Sequence, residues 1–157
     1  METRSIQVPN ALLIAEVRRA ISEGHSATFR VKGNSMRPFL ETERDIVKIE
    51  RVEPKTVKVR DVVLAEIAPQ KYVLHRVDKR NGDTLILRGD GNVKGTEQCR
   101  DTDVVGIATA FYRKGRNMDC PDLVTGWKWR TYSSVWLALK PFRRILLGLY
   151  RRQPFRL

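Results

Sequence analysis

Two side chains in this sequence have the chemistry of a nucleophile and its general base. Ser35 lies in KGNSMRPFL, residues 32–40, directly after a predicted strand, so its hydroxyl is expected at a turn that faces a cleft. Gly33 and Asn34 accept unusual backbone angles, and Pro38 directs the exit of the chain. A serine hydroxyl needs a base to attack a carbonyl near neutral pH. Taken alone, the segment also fits an ordinary polar turn.

The candidate base is His75, in KYVLHRV, residues 71–77. In a strand its side chain shares a face with Val73 and Val77, whereas Arg76 points to the other face. A histidine on an apolar strand face is also common as a satisfied core residue. The next segment, RGDGN at residues 88–92, by itself predicts a tight turn at a strand end.

In sequence and order these segments resemble the signal peptidase family, which has a Gly-x-Ser-Met-x-Pro box, a strand with the base and a Gly-Asp box. VRDVV at residues 59–63 is similar to the family's Gly-Asp-Val strand, with Arg60 in place of its glycine, and DVVG at 103–106 is similar to its closing Val-Gly strand. The resemblance covers residues 26–113. Bacterial members and the related LexA-type self-cleaving repressors use lysine as base. The His75-Arg76-Val77 sequence instead resembles the histidine-type archaeal and endoplasmic-reticulum branch.

The resemblance implies acyl transfer at a peptide bond. Ser35 would attack the carbonyl, His75 would take and return a proton, and Asp90 would hold the imidazole. The second acid of the histidine branch has no clean match: Thr96 falls near its spacing, and Glu97 beside it is the candidate.

The resemblance also assigns the loop around the nucleophile to oxyanion binding, with the backbone N–H of Ser35 as the natural donor. Gly33 stands where many bacterial relatives have a serine that adds a second donor, so a second donor here would be backbone or absent. The loop residues of the site are Gly33, Asn34, Met36 and Pro38.

Most of the elements that must position these residues are predicted to be strands. A helix is expected from Asn10 through Glu23, ended by Gly24. Asn81-Gly82 predicts a hairpin. Six extended segments follow from Val, Ile and aromatic content: residues 28–32, 45–51, 61–67, 71–79, 84–88 and 103–113. They predict a mainly β, antiparallel body, and the resemblance implies the signal peptidase/LexA-like fold. The expected organisation is an N-terminal helix (1–25), a peptidase-like β domain (26–115) and an aromatic, basic tail with a helix (116–157).

The tail holds most of the net charge of +12. A helix opened or kinked at Pro141 and reaching about Arg152 has an apolar side and a basic side. The apolar side comprises Val135, Leu139, Phe142, Ile145, Leu146 and Leu149, and the basic side Lys140, Arg143, Arg144 and Arg151. Residues 127–152 therefore have the composition of a segment that contacts an anionic membrane peripherally. Packing of the same segment on the β body is an equal alternative.

Composition excludes several classes of site and location. Cys99 and Cys120 are too few for a disulfide framework, although one bridge stays open, and His25 and His75 allow no zinc-ligand spacing, so no metal or cofactor is expected. The apolar run at residues 11–15 is too short for a secretory or membrane segment. We therefore expect a cytoplasmic protein, with peripheral contact at the inner face of the membrane as an option.

Three functions remain open after these considerations. The first is a serine endopeptidase that cleaves a leader or signal segment of a peptide or protein substrate. The second is a non-catalytic module on the same fold that holds an extended peptide by strand addition. The third is a repressor-related nucleic-acid-binding regulator, which is least favoured because residues 1–24 hold one helix and not a helix-turn-helix.

Overall fold

The structure is a computed structural model that describes residues 10–113 and 121–152. Within these ranges eight strands form one antiparallel sheet, together with three α-helices, so the prediction of a mainly β, antiparallel body is confirmed. The sheet order is β1-β2-β7-β3-β4-β5-β6, and β8 pairs with β7. The elements are α1 (Asn10–Ser22), β1 (Ala27–Arg30), β2 (Ile46–Glu50), β3 (Val62–Ala68), β4 (Lys71–Asn81), β5 (Thr84–Arg88), β6 (Glu97–Arg100), β7 (Val104–Tyr112), β8 (Asp122–Leu123), α2 (Trp127–Ala138) and α3 (Arg143–Arg152).

All six predicted strands are present, and two further strands were not expected. Strand β6 has the sequence EQCR, which contains one apolar residue and therefore no alternating signal. It becomes a strand because it pairs with β5 along four residues. Strand β8 has only two residues, and its pairing with β7 is equally a product of tertiary structure. The hairpin predicted at Asn81-Gly82 joins β4 to β5, and Gly82 has a positive φ of 59°.

The sheet separates two apolar clusters, one on each face. Strand β3 shows the alternation: Val62 and Leu64 belong to the first cluster, and Val63 and Ala65 to the second. The first cluster, called the large core below, also includes residues of α1, of the turn after Ser35 and of α2: Ile14, Val17, Ile21, Met36, Phe39, Leu40 and Trp129. The second cluster, called the small core, contains Val57, Val63, Ala65, Val77, Leu85, Leu87 and Cys99. A residue's position in its strand thus decides which core it faces.

Helix α1 lies on the large-core face at a point where β7 carries a glycine. A side chain at Gly106 would come within 2.5 Å of Ile49 Cγ2, 2.8 Å of the Glu50 carbonyl oxygen and 2.9 Å of Ile21 Cδ1. Glycine at this position therefore lets the helix approach the sheet closely.

The C-terminal region contains two helices, where one helix opened or kinked at Pro141 was expected. A 3-10 turn at Lys140–Phe142, containing Pro141, separates α2 from α3, because proline cannot continue the hydrogen bonding of α2. The prediction that Arg143 lies on a basic outer side is wrong: Arg143 is buried, and its guanidinium lies 5.3 Å from the ring centroid of Trp136.

In the parts of the chain that the structure describes, none of the helices has the length and apolarity needed to cross a membrane.

Candidate functional site

Ser35 lies in a tight turn between β1 and β2. Gly33, which precedes it, has a φ of 92°, a conformation that glycine adopts without strain, and its N–H donates to Thr42 Oγ1 at 3.0 Å. After Ser35 the chain makes one helical turn in which Leu40 N–H donates to the Met36 carbonyl at 3.0 Å. Met36 is buried in the large core and so anchors the turn, while Ser35 itself is half-buried. The expectation of a serine at a turn is confirmed.

His75 lies in β4, directly opposite Val63 of β3. Since Val63 belongs to the small core, the imidazole is on the small-core face, together with Val73 and Val77, as the alternation predicts. His75 is buried, and its Nδ1 lies 2.8 Å from Oε2 of Glu97 on β6. Glu97 pairs with Leu87 of β5 and shares its face.

The hydrogen bond to Glu97 determines the chemistry of the imidazole. With Nδ1–H donating to the carboxylate, Nε2 carries the lone pair that can accept a proton. Burial lowers the pKa of His75 below its usual value, and the charge and hydrogen bond of Glu97 partly oppose this shift. The ring is therefore neutral at neutral pH, with Nε2 free to accept a proton. This is the protonation state that a general base requires.

The Ser35 turn packs against the residue that follows β5. The last β4–β5 pair is Arg76 with Arg88, and Gly89 comes directly after it. A Cβ on Gly89 would lie 2.3 Å from the Ser35 carbonyl oxygen and 3.0 Å from Ser35 Cβ. The turn is therefore held at the end of β5 that pairs with the β4 residue next to His75.

The glycines of the 89–92 turn are needed for close packing and not for their backbone angles. Neither Gly89 nor Gly91 has a positive φ, so the turn does not need glycine for its backbone angles. Both instead lack side chains because the Ser35 turn packs directly on them: Gly91 N–H donates to the Ser35 carbonyl at 2.7 Å, and a Cβ on Gly91 would meet the Asn34 carbonyl oxygen at 2.8 Å.

Asp90 lies on the opposite side of the same turn and pairs with Arg76. Both of its carboxylate oxygens accept hydrogen bonds from the guanidinium, Nε to Oδ1 and Nη2 to Oδ2, each at 2.8 Å. This bidentate geometry uses the charge of Asp90 in a buried ion pair. The expected contact of Asp90 with His75 is not formed, because the two adjacent residues His75 and Arg76 point to opposite faces. The carboxylate that holds His75 is Glu97, the second candidate.

Helix α2 completes the Arg76 environment. Ser133 Oγ accepts a hydrogen bond from Arg76 Nη1 at 2.9 Å, and the guanidinium lies 4.8 Å from the Trp129 ring centroid. The Tyr132 hydroxyl lies 3.5 Å from Asp90 Oδ2. A chain of contacts therefore runs from α2 through Arg76 and Asp90 to the glycine turn that supports Ser35. Sequence reasoning missed this role of Arg76, although its adjacency to His75 and the nearby Asp90 were visible.

Backbone N–H groups at and next to Ser35 are without hydrogen-bond acceptors among the described residues. In the described part of the chain, the N–H groups of Asn34, Ser35 and Met36 donate no hydrogen bond. Successive free N–H groups in a turn form a concave anion site of the kind that stabilises an oxyanion. Ser35 Oγ likewise makes no hydrogen bond to a described group.

Other features of the structure lie outside this site. Among residues 10–113 and 121–152 there is no group of three or more His, Cys, Asp and Glu side chains that could hold a metal ion. Cys99 is a free thiol in the small core, and burial raises its pKa to about 11. Cys120 lies outside the described residues. An open groove of about 710 Å³ lies between residues 58–61 and α2, on the Arg76 side, and contains neither Ser35 nor His75.

Comparison with known proteins adds no further information about this site. No protein-family model and none of the curated proteins searched matches the chain.

Proposed function

We propose that this protein is a serine endopeptidase of the signal-peptidase-like type. Ser35 is the nucleophile, His75 its general base and Glu97 the carboxylate that orients the imidazole. The observation that carries the proposal is the packing of the Ser35 turn on Gly89, which directly follows the Arg76–Arg88 pair between β4 and β5. A serine hydroxyl and a neutral imidazole held by a carboxylate are the minimal parts of this chemistry.

In the proposed reaction, Ser35 Oγ attacks the carbonyl carbon of a peptide bond while His75 Nε2 accepts its proton. The oxygen of the tetrahedral intermediate is held by the free N–H groups of residues 34–36. Collapse of the intermediate expels the amine, which takes the proton back from His75. Water then attacks the acyl-serine, again with His75 as base, and the acid product leaves.

Two backbone features support a signal peptidase/LexA-like fold for the chain. Arg60, in the position of the family's glycine, has a φ of 86°, a left-handed conformation that favours glycine. Gly106, in the position of the family's closing Val-Gly strand, is a site of close approach between α1 and β7. At both positions the backbone itself favours glycine, by its φ angle at Arg60 and by close packing at Gly106. A chance match in sequence would not lead to this agreement.

The proposal is tested with a biotinylated fluorophosphonate, which reacts with activated serines. We expect labelling of the peptide that contains Ser35, and loss of labelling in Ser35→Ala. His75→Ala should slow labelling at least about 10³-fold, because the hydroxyl loses its base. The matched controls are the exposed residues Ser26 and His25, whose alanine variants should react like the wild type. Labelling that persists in Ser35→Ala would refute the proposal.

A second candidate is a peptide-binding module without catalysis. It is favoured by the hydrogen-bond-free hydroxyl of Ser35 and by strand β1, which pairs only with β2 among the described strands. The outer edge of β1 can accept an extended peptide by strand addition, and β1 leads toward the Ser35 turn. A folded protein that binds extended peptides, cleaves none of them and does not react with fluorophosphonate would favour this candidate.

A further inference from the structure

The inner face of α3 is fixed on the protein body. Arg143 and Leu147 are buried, and the Tyr150 hydroxyl donates a hydrogen bond to Glu41. Just before the helix, Lys140 pairs with Asp78 of β4. These contacts determine the rotation of α3 about its axis. They therefore also determine which residues form its outer face.

The outer face carries an apolar stripe. Phe142, at the end of the 3-10 turn, and Ile145 and Leu149 of α3 are 56%, 64% and 58% exposed. Their spacing of three and then four residues places them along one side of the helix. Single exposed apolar residues are common on protein surfaces, but a continuous stripe of large ones indicates a binding surface.

The charges around the stripe select its occupant. Arg144, Arg151 and Arg152 of the same helix are exposed, and residues 123–152 contain seven Lys and Arg with no Asp or Glu. A second copy of the chain would bring like charges together, which opposes association. A nucleic acid would satisfy the arginines and leave the apolar stripe in water. An anionic lipid surface satisfies both, because it offers phosphate and carboxylate groups above an apolar layer.

We propose that α3 docks on an anionic phospholipid membrane, with Phe142, Ile145 and Leu149 inserted at the boundary between headgroups and acyl chains. Arg144 and Arg151 contact the headgroups. The proposed contact is smaller than the one expected for residues 127–152. Trp129 and Trp136 of α2 are buried in the protein and do not take part. Docking does not depend on the proposed peptidase activity.

The apolar part of the proposal is tested by co-sedimentation of the full chain with vesicles at physiological ionic strength. We expect binding to phosphatidylcholine vesicles that contain phosphatidylserine, and a loss of at least about tenfold in partition coefficient for the triple variant Phe142→Ser, Ile145→Ser and Leu149→Ser. The control replaces three other exposed apolar residues by serine and should bind like the wild type. These residues are Leu12, Val59 and Val93. Equal binding by the two triple variants would overturn the proposal.

The charged part has its own matched pair, which leaves the apolar stripe intact. Arg144→Glu with Arg151→Glu should abolish the preference for phosphatidylserine, whereas Lys71→Glu with Lys79→Glu changes net charge equally on exposed sites of β4 and should keep it. Vesicle binding that is unaffected by the arginine changes would refute the assignment. Displacement of the protein from vesicles by duplex DNA, with undiminished DNA binding by the triple serine variant, would identify a nucleic-acid surface instead. Because sedimentation needs no catalysis, the Ser35→Ala protein should behave like the wild type.

Discussion

Replacement by an amide should affect different properties at the two carboxylates near the site, stability at one and activity at the other. Asp90 and Arg76 are 1% and 2% exposed, and their ion pair supports the glycine turn under Ser35. Glu97 is 27% exposed and contacts His75. Replacement of either acid by its amide keeps the shape and removes the charge. We expect Asp90→Asn to lower mainly stability and Glu97→Gln to lower mainly activity.

The magnitudes follow from burial. Removal of one partner from a buried ion pair leaves an uncompensated charge and costs about 3–5 kcal/mol; the amide retains one acceptor for Arg76, so we expect about 3 kcal/mol for Asp90→Asn. In a domain of this size that lowers Tm by about 6–12 °C. For Glu97→Gln we expect a cost of about 1 kcal/mol, because the carboxylate is part-exposed and its partner is neutral. Loss of the group that orients a catalytic histidine should lower the acylation rate about 10²- to 10⁴-fold.

The assay measures both quantities on the same samples. Urea unfolding followed by tryptophan fluorescence gives the free energy of unfolding, and fluorophosphonate labelling of Ser35 gives the acylation rate. The labelling is measured well below the urea midpoint, so that both variants are folded. If Asp90→Asn keeps wild-type stability and loses labelling while Glu97→Gln retains it, Asp90 is the catalytic acid and the assignment made from the structure is wrong.

Three further changes test the structure. Gly106→Ala should lower the free energy of unfolding in urea by about 1–3 kcal/mol, because the new methyl group meets β2 and α1. Gly148→Ala meets nothing within 4 Å and should stabilise α3 by up to about 1 kcal/mol. Equal effects of the two changes would contradict this packing. Arg60→Gly should raise the free energy of unfolding by up to about 1 kcal/mol, since relief of the strain in the left-handed backbone exceeds the entropy cost of glycine. A lower free energy of unfolding in this variant would show that the strain is absent. The lowered pKa of His75 should place the acid limb of the labelling rate below about pH 6.5, and Glu97→Gln should move it lower still. Because the unfolded chain protonates His75 more readily, stability should also fall as pH drops from about 6.5 toward the folded pKa, and an acid limb above pH 6.5 would contradict the burial of the ring.

Local patterns were sufficient to predict the parts of the site but not their partners. The Ser35 turn and the two faces of β4 follow from residue types within a few positions of each other, since turn chemistry and strand alternation are local. Glu97 could be suggested only as a candidate, because Thr96 and not an acid falls near the spacing expected for the second acid. The role of Asp90 depended on Arg76, which competes for the carboxylate from the opposite face of the sheet.

The sequence by itself determined the antiparallel β body, the helix at its N-terminus, the serine turn and the side of the sheet on which His75 lies. These depend on propensities and periodicities that each segment carries alone. Only the tertiary structure decided which acid holds the imidazole, why the 89–92 turn needs glycine, and which face of α3 remains exposed. Each of these depends on contacts between residues distant in sequence, where burial and close approach, rather than local preference, set the free energy.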